Sequence, residues 1–438
     1  MDAFLDSVLE RALRRAEAAE VFAVSSEETP VHFEANRLKS VQTRETRGVA
    51  LRVIQDGRVG FASTTRLDEP QDLVDSALEV TPFGAEAKFE FPSVREYADL
   101  VTYDPTVAEL PVEKMVGAGR AMIAQVREHN PDILVEAKLS RQVMTVVIRN
   151  SAGGGGTYQY TVFSAILSAN LVRGTDILDV YEWAETNQGL VDFDALVGTV
   201  VEKVRLAERN VPIASGQIPV IFTPKAFAMT MLESLHLGFN GKMVLEGASP
   251  LAGKLGEQMF DSRLYLWDDG QVAESTASAP FDDEGVPTRR TLLIGQGKVQ
   301  SFLYDLQTAG KAGTQSTGNA TRSLSSPPSP GTHAWLIEPG DASLAEMLSG
   351  INEGLLVDQT MGAWAGNVIG GEFSGNVHLG YKIEKGELVG RVKDTMVTGN
   401  VYIALKDGLE AIGDTAYWVG GSLRVPHLMF KSLGVASK

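Results

Sequence analysis

Cysteine is absent from all 438 residues of the sequence. Its absence excludes disulfide bonds, thiolate ligands for zinc, iron–sulfur clusters and a cysteine nucleophile. Basic residues are also scarce, since 39 lysines and arginines stand against 56 acidic residues and the formal net charge is −17. Phosphate backbones and anionic membrane surfaces bind clustered cations. The composition therefore predicts no direct nucleic-acid partner and no membrane partner.

Local catalytic motifs are missing as well. The six histidines lie far apart along the chain, at His32, His129, His236, His333, His378 and His427. No two of them share a helical turn, so the HExxH arrangement of metallopeptidases is absent. A zinc site assembled from distant histidines stays open as an alternative that no motif supports. The acids at 268–269 and 282–284 stand beside glycine or proline, and this context predicts solvated turns.

Long hydrophobic runs are rare, and the longest uncharged stretch is not typical of a membrane span. Residues 150–172 carry no charge but include four consecutive glycines, two tyrosines and several amide and hydroxyl side chains. This pattern favours a β-hairpin. The first residues mix charges with apolar side chains and lack the core of a signal peptide, which predicts a cytoplasmic location.

The order of predicted elements indicates an α+β fold with an N-terminal α/β region over residues 1–210. Helix, strands and helix follow one another over about 1–82 and again over about 111–210, so we predict two similar halves. Asp56-Gly57 between two alternating runs predicts a tight hairpin. The segment EPQDLVDSALEV, with proline and acids in its first turn, predicts the helix that closes the first half.

Residues 211–438 are predicted to form a mostly antiparallel, β-rich domain. The segment IPVIFTP predicts a buried strand. The segment KAFAMTMLESLHL predicts one helix that begins after Pro224. Several hairpins follow, separated by the proline-rich segment SLSSPPSPGTH, which we expect to be a surface loop.

A glycine-rich segment in this domain has two interpretations. Its members of interest are Gly366, Asn367, Gly370, Gly371 and Gly375. Glycines allow close approach of another backbone, so an extended peptide could bind here along an exposed strand edge. The other interpretation is a set of turns and bulges. The sequence does not decide between them.

The segments IPVIFTPKAFAMTMLESL, GASPLAGKLGEQMF, AGTQSTGNATR, GNVIGGEFSGNVHLGYKIEKGEL and GGSLRVPHLMF, in this order, resemble the TldD/PmbA family, also called modulators of DNA gyrase. The resemblance extends over essentially the whole chain and is most specific after residue 215. It implies a barrel-like C-terminal domain and a dimer. It also implies a part in cytoplasmic proteolysis of unfolded or leader-bearing peptides.

The family has two branches, and this sequence resembles the one without a metal site. TldD-like members carry HExxxH on a helix and a cysteine near the C-terminus, whereas PmbA-like or TldE-like members lack these ligands. The resemblance places the two histidine positions at Leu232 and Leu237, the glutamate at Glu233 and the cysteine position at Gly420. Leucine and glycine donate no lone pair to a metal. His236 stands one position away from the motif.

These observations predict no catalytic residue, no bound metal and no cofactor in this chain, with zinc held only by a TldD-like partner. The expected function is that of a non-catalytic, TldE-like subunit which helps such a metallopeptidase to hold extended peptides. One alternative is an independent metallopeptidase with a non-standard metal site. Another is a peptide-binding homodimer without protease activity.

Overall fold

The computed structural model describes residues 1–438. The strands of the first half of the chain are β1 (Ala18–Glu34), β2 (Arg37–Val41), β3 (Arg44–Gln55), β4 (Arg58–Thr64), β5 (Leu134–Asn150), β6 (Gly155–Arg173) and β7 (Asp176–Thr186). Its helices are α1 (Asp2–Ala12), α2 (Pro70–Val80), α3 (Pro105–Ala108), α4 (Val112–His129) and α5 (Phe193–Leu206).

All seven of these strands form one antiparallel sheet in the order β4-β3-β1-β5-β6-β7, with β2 paired to the end of β1. The predicted hairpin at Asp56-Gly57 is confirmed. Both residues have positive φ, 51° and 69°, which is the backbone that a two-residue turn between twisted strands requires. The helix over Pro70–Val80 is confirmed as α2.

The uncharged stretch at 150–172 is a hairpin strand, as predicted. It forms β6, which pairs with β5 from end to end. Asn150 closes the turn, because its side-chain oxygen accepts hydrogen bonds from the backbone N–H groups of Ala152 (2.9 Å) and Gly154 (3.0 Å). No helix in the protein combines the length and the apolarity that a bilayer crossing requires.

Helices cover one face of this sheet. α1 and α2 pack through Leu5 and Leu73 against β1 and β3. α4 and α5 pack through Met122 and Val200 against β5 and β6, and this second cluster continues into residues of the C-terminal sheet such as Leu356. The helices α4 and α5 therefore share one apolar core with both sheets.

The second half of the chain is dominated by strands. They are β8 (Gly216–Phe222), β9 (Leu266–Asp269), β10 (Arg290–Gly295), β11 (Lys298–Val299), β12 (Ala320–Thr321), β13 (Ser329–Pro330), β14 (Ala334–Ile337), β15 (Glu353–Met361), β16 (Glu372–Glu384), β17 (Glu387–Arg391), β18 (Thr395–Asn400), β19 (Leu409–Val419) and β20 (Leu423–Ser437). Its helices are α6 (Pro224–Thr230), α7 (Leu232–Phe239), α8 (Gly241–Leu245), α9 (Leu306–Ala312), α10 (Leu344–Ser349) and α11 (Val401–Ile403).

Five of these strands close into a barrel, which confirms the α+β fold class with a barrel-like C-terminal region. The ring runs β8-β15-β16-β18-β20 and closes where β20 pairs with β8. Large side chains fill it, and Phe222 packs edge-to-face against Phe430 at 5.5 Å between ring centroids. The two sheets lie on either side of residue 210, but the division there and the two similar N-terminal halves stay proposals.

Two local expectations are wrong. KAFAMTMLESLHL is two helices, α6 and α7, which are separated at Met231. Beside this break, the buried hydroxyl of Thr230 is hydrogen-bonded to that of Thr360 on β15 (2.9 Å). The proline-rich loop also contains a short strand, since Ser329–Pro330 pairs with Ala320–Thr321.

Four of the five acids expected in solvated turns are instead buried, and Asp283 is half-buried. Asp268 is fully buried on β9 and accepts hydrogen bonds from the backbone N–H of His333 (2.7 Å) and the indole N–H of Trp335 (3.0 Å). Asp282 is also buried and accepts from the backbone N–H groups of Glu284 and Val286, both at 2.9 Å. The turn was predicted correctly at 282–284, whereas Asp268 and Asp269 lie on the strand β9, and solvent exposure was predicted wrongly for both groups.

Glu284 belongs to a buried chain of charges between the two sheets. Arg52 of β3 donates to Glu284 (2.5 Å) and to Glu20 of β1 (3.0 Å). Arg322 donates to the other oxygen of Glu20 (2.9 Å). All four side chains are at most 3% exposed. This chain of ion pairs fixes the N-terminal sheet against the loops of the C-terminal half.

Candidate functional site

The motif positions Leu232, Glu233 and Leu237 all lie on α7. Leu232 is half-buried and packs against the barrel core. Glu233 is 46% exposed, and its carboxylate is 4.0 Å from Nδ1 of His236. The imidazole of His236 stands edge-on to Trp335, with 4.4 Å between ring centroids. Burial lowers the pKa of His236 to about 4, so this histidine is uncharged at neutral pH.

The side chains that α7 carries do not suit a metal at these positions. The residues present offer no donor at either position. No group of three or more histidine, aspartate or glutamate side chains in the protein is arranged to hold a metal ion. The residues at these positions do not fit a zinc site.

The third motif position, Gly420, lies in the turn between β19 and β20. Its φ of +58° is a backbone that side-chain-bearing residues rarely adopt. A Cβ at this position would lie 3.0 Å from Nε1 of Trp183. Trp183 comes from β7 of the N-terminal sheet. A Cβ at 420 would therefore make a tight contact with the indole, which would have to shift by a few tenths of an ångström.

A cleft of about 470 Å³ opens beside Trp183 and Val419, next to Gly420. Its polar walls come from both halves of the chain, and they include Glu182, Lys203, Lys225, Asp358, Trp418 and His427. β7 is the last strand of the N-terminal sheet. β19 pairs with β20 on one side and, apart from a single bridge at Gly413, with nothing on the other. Edge strands of the two sheets thus flank the cleft.

Two lysines and two acids form an ionic cluster in this cleft. Nζ of Lys203 donates to both oxygens of Asp358 (2.7 and 2.8 Å) and to Glu182 (2.5 Å). Nζ of Lys225 donates to Glu182 (3.2 Å) and to the backbone carbonyl of Tyr181. It also lies 3.9 Å from the centroid of the Tyr181 ring. The four charges balance, so the cluster has no net charge of its own.

The two lysines differ in their acid–base behaviour. Burial lowers the pKa of Lys225 to about 8, because its one carboxylate partner does not compensate for the loss of water. Burial also opposes the charge of Lys203, but the carboxylates of Asp358 and Glu182 outweigh it and raise the pKa of Lys203. Burial lowers the pKa of His427 on the same wall. Sequence reasoning did not identify this cluster, whose members are distant in the chain.

The glycine-rich segment is divided between a loop and a strand. Gly366, Asn367 and Gly370 lie in the loop after β15, where Asn367 Oδ1 accepts from the backbone N–H of Gly370 (3.0 Å). Gly375 lies within β16, which pairs with β18 at this residue and with β15 beside it. The expectation of an exposed strand edge is therefore wrong at Gly375. The other positions stay predictions of a substrate surface.

Gly371 is close to the motif helix through one side chain. A Cβ on Gly371 would lie 2.5 Å from the ring of Tyr402. The hydroxyl of Tyr402 donates to the backbone carbonyl of Ser234 on α7 (3.0 Å). The loop that contains Gly366 and Gly370 is thus packed, through Tyr402, against the helix that carries Glu233.

Comparison with known proteins assigns the chain to a family. Residues 215–437 match the family described as PmbA/TldA metallopeptidase C-terminal domain, and residues 19–81 match its domain 1. The chain belongs to the PmbA/TldD family. The first of these matches covers all five strands of the barrel and the helices α6 and α7.

Three relatives illustrate the likeness. An uncharacterized protein of Methanocaldococcus jannaschii is 27% identical over 418 residues, 94% of this chain and 95% of that one. A metalloprotease of Methanothermobacter thermautotrophicus is 26% identical over 422 residues, 92% of this chain and 90% of that one. The crystal structure of TldE from Thermococcus kodakarensis has the same fold, with a TM-score of 0.90, 24% identity, and 99% and 100% of the two chains covered.

Proposed function

We propose that this chain is the non-catalytic, TldE-like subunit of a TldD-type metallopeptidase, and that it helps to hold unfolded or leader-bearing peptides in the cytoplasm. The observation that carries the proposal is the replacement of the metal ligands. Leu232 and Leu237 offer no donor, and the indole of Trp183 lies against Gly420 at the third position. Zinc would be held by the partner subunit alone.

The residue that remains of the motif supports the same conclusion. A glutamate in a metallopeptidase acts as a general base on a metal-bound water. Glu233 has only His236 nearby, at 4.0 Å, and a single imidazole is a weak ligand set for zinc compared with three ligands. We infer that Glu233 has no water to activate and takes no part in hydrolysis.

The cleft beside Gly420 is the site at which we propose that a peptide binds. An extended peptide can add to a strand edge through main-chain hydrogen bonds, which makes binding tolerant of its sequence. Edge strands β7 and β19 flank the cleft. The exposed ring of Tyr417 and the balanced charges of Lys203 and Asp358 line its walls. The loop around Gly366, Asn367 and Gly370 is a second candidate surface.

The deciding experiment measures metal content and peptide hydrolysis. The chain is purified alone and also mixed with a TldD-like chain that carries HExxxH. We expect no bound zinc and no cleavage from the chain alone, and cleavage on mixing that exceeds that of the TldD-like chain by itself. Near-stoichiometric zinc with chelator-sensitive cleavage by this chain alone would overturn the proposal. Peptide binding with no effect of the TldD-like chain would instead indicate an independent binding protein.

Photo-crosslinking tests the peptide site separately. Tyr417→p-benzoylphenylalanine places the probe in the cleft, and the same change at Trp364 places it in the glycine-rich loop. Phe83, which is 91% exposed on the N-terminal half, is the control position. We expect an unfolded peptide to crosslink at position 417 more than at position 83. Crosslinks at 364 alone would move the site to the loop, and equal crosslinks at all three positions would contradict a defined site.

A further inference from the structure

We propose that a second cavity, remote from the motif helix, binds a small aromatic carboxylate. The cavity has a volume of about 320 Å³ and lies where β3, β4 and the segment 85–89 meet α8, α9 and the proline-rich loop. Its apolar walls include Phe61, Phe89, Pro327, Pro328 and Pro330. Lys242 and Lys311 stand at its border. Volumes of about 300–1,000 Å³ with apolar walls and a few polar groups are typical of small-molecule sites.

Hydrogen bonds fix the walls of the cavity in place. Oε1 of Gln307 on α9 accepts from the backbone N–H of Lys88 (2.9 Å), and its Nε2 donates to the carbonyl of Glu86 (2.8 Å). On the opposite side, Nδ2 of Asn240 donates to the carbonyl of Pro330 (2.9 Å). The segment that carries Phe89 and the loop that carries the prolines are therefore anchored to the same helical layer, and the cavity is formed before any ligand arrives.

The charged groups of the cavity favour an anion. Neither Lys242 nor Lys311 takes part in an ion pair or donates a side-chain hydrogen bond, although the protein has a net charge of −17. Arg52 also lines the cavity, and its Nε is buried without a partner. The one acidic side chain in the lining, Asp305, caps α9 by accepting from the N–H of Thr308 (2.7 Å). Two unpaired lysines therefore border an apolar space, while Arg52, which is paired with Glu20 and Glu284, leaves one N–H group without a partner.

These features together define the class of ligand. Flat rings stack well on the faces of phenylalanine and proline, and a carboxylate at one end of such a ring would pair with Lys242 and Lys311. The proposal is independent of the proteolytic function, since none of the motif positions contributes to the cavity. A ligand here would touch both halves of the chain and would stabilise the folded protein by mass action.

Ligand-observed NMR and thermal unfolding test the proposal with naphthalene-2-carboxylate as the probe and naphthalene-2-carboxamide as its neutral match. We expect saturable binding of the carboxylate, a raised Tm, and weaker binding of the amide. The double variant Lys242→Ala/Lys311→Ala should weaken carboxylate binding roughly tenfold, about threefold for each exposed ion pair. Phe89→Ala should weaken both probes, because it removes a ring from the wall.

Lys254→Ala is the control, since this lysine is exposed and paired with Glu257 (3.0 Å) outside the cavity. Equal binding by parent and double variant, or equal affinity for carboxylate and amide, would overturn the proposal. The Tm of each variant without probe shows whether it is folded. A peptide that ends in tryptophan with a free carboxylate provides the last comparison. Binding of that peptide without binding of naphthalene-2-carboxylate would overturn the assignment to a small free acid.

Discussion

The indole nitrogen of Trp183 lies 3.0 Å from the point that a Cβ on Gly420 would occupy. Trp183 belongs to the edge strand of the N-terminal sheet, and Gly420 to a turn of the C-terminal sheet. This contact joins the two halves of the chain at Gly420, the position to which the resemblance assigns the cysteine of TldD-like members. A side chain at position 420 would therefore require the indole to shift by a few tenths of an ångström.

Substitution of Gly420 tests this contact. Gly420→Ala should lower the free energy of unfolding by about 2–3 kcal/mol, of which about 1 kcal/mol reflects its positive φ and the rest the displaced indole. Gly57→Ala is the matched control, because Gly57 has a similar φ of +69° and nothing within 4 Å of its Cβ position. Urea denaturation measures both. If both variants lost the same free energy of unfolding, the indole of Trp183 would be shown to move aside at no cost.

Glu233→Ala should be nearly silent. A half-exposed carboxylate 4.0 Å from its nearest basic neighbour contributes little to stability, and changes at such positions usually stay within about 0.5 kcal/mol. Hydrolysis by the mixture with a TldD-like chain should match that of the parent. Glu257→Ala, another exposed acid, serves as the control. Loss of activity in the Glu233 variant alone would assign this residue a catalytic role.

The two lysines of the cleft should differ in their effect on stability. Lys203→Met leaves the buried carboxylate of Asp358 without a cation and should cost about 3–5 kcal/mol. Lys225→Met leaves Glu182 still paired with Lys203 and should cost less than half as much. Urea denaturation at pH 7 compares them. The reverse order would mean that the contacts of Lys225 with Tyr181 and Trp183 dominate the cluster.

His236 should make the protein less stable in acid. An unfolded histidine takes up a proton near pH 6.5, whereas burial lowers the pKa of His236 to about 4. Between these values the unfolded state binds more protons, so this contribution to stability is lost as the pH falls from 6.5 towards 4. His236→Leu should reduce the difference between the free energies of unfolding at pH 7 and pH 5. An unchanged difference would show that other groups cause it.

Elements with strong local chemistry could be predicted from the sequence. Asp56-Gly57 requires two positive φ values and specifies its hairpin without help from distant residues. α2 carries its own start signal in Pro70 and its acids. The pattern of hydrophobic residues could not show that α6 and α7 separate at Met231, because the neighbouring hydroxyl of Thr230 is hydrogen-bonded to that of Thr360, on a strand that begins more than 100 residues later.

The charged clusters could not be predicted for a related reason. Glu284 lies in a turn and Asp268 lies on a short strand, where acidic side chains are commonly exposed. Only their distant partners show that both are buried. Arg52 lies 232 residues from Glu284, and Lys203 lies 155 residues from Asp358. Turn statistics describe neighbours in sequence, whereas burial of a charge depends on a counter-charge brought close by the whole fold. The candidate cleft was missed for this reason.

The pairing of Glu20 with Arg322 has a consequence for the order of folding. The two residues are separated by 302 positions. A ribosome therefore synthesises the strand that carries Glu20 long before it adds Arg322, the second arginine that pairs with this carboxylate. Contacts this distant are slow to form, and an emerging N-terminal sheet would expose Glu20 and Arg52 to water until residues 284 and 322 arrive. We therefore expect the N-terminal half to mature only after most of the chain has been made, in contrast to the usual domain-by-domain sequence.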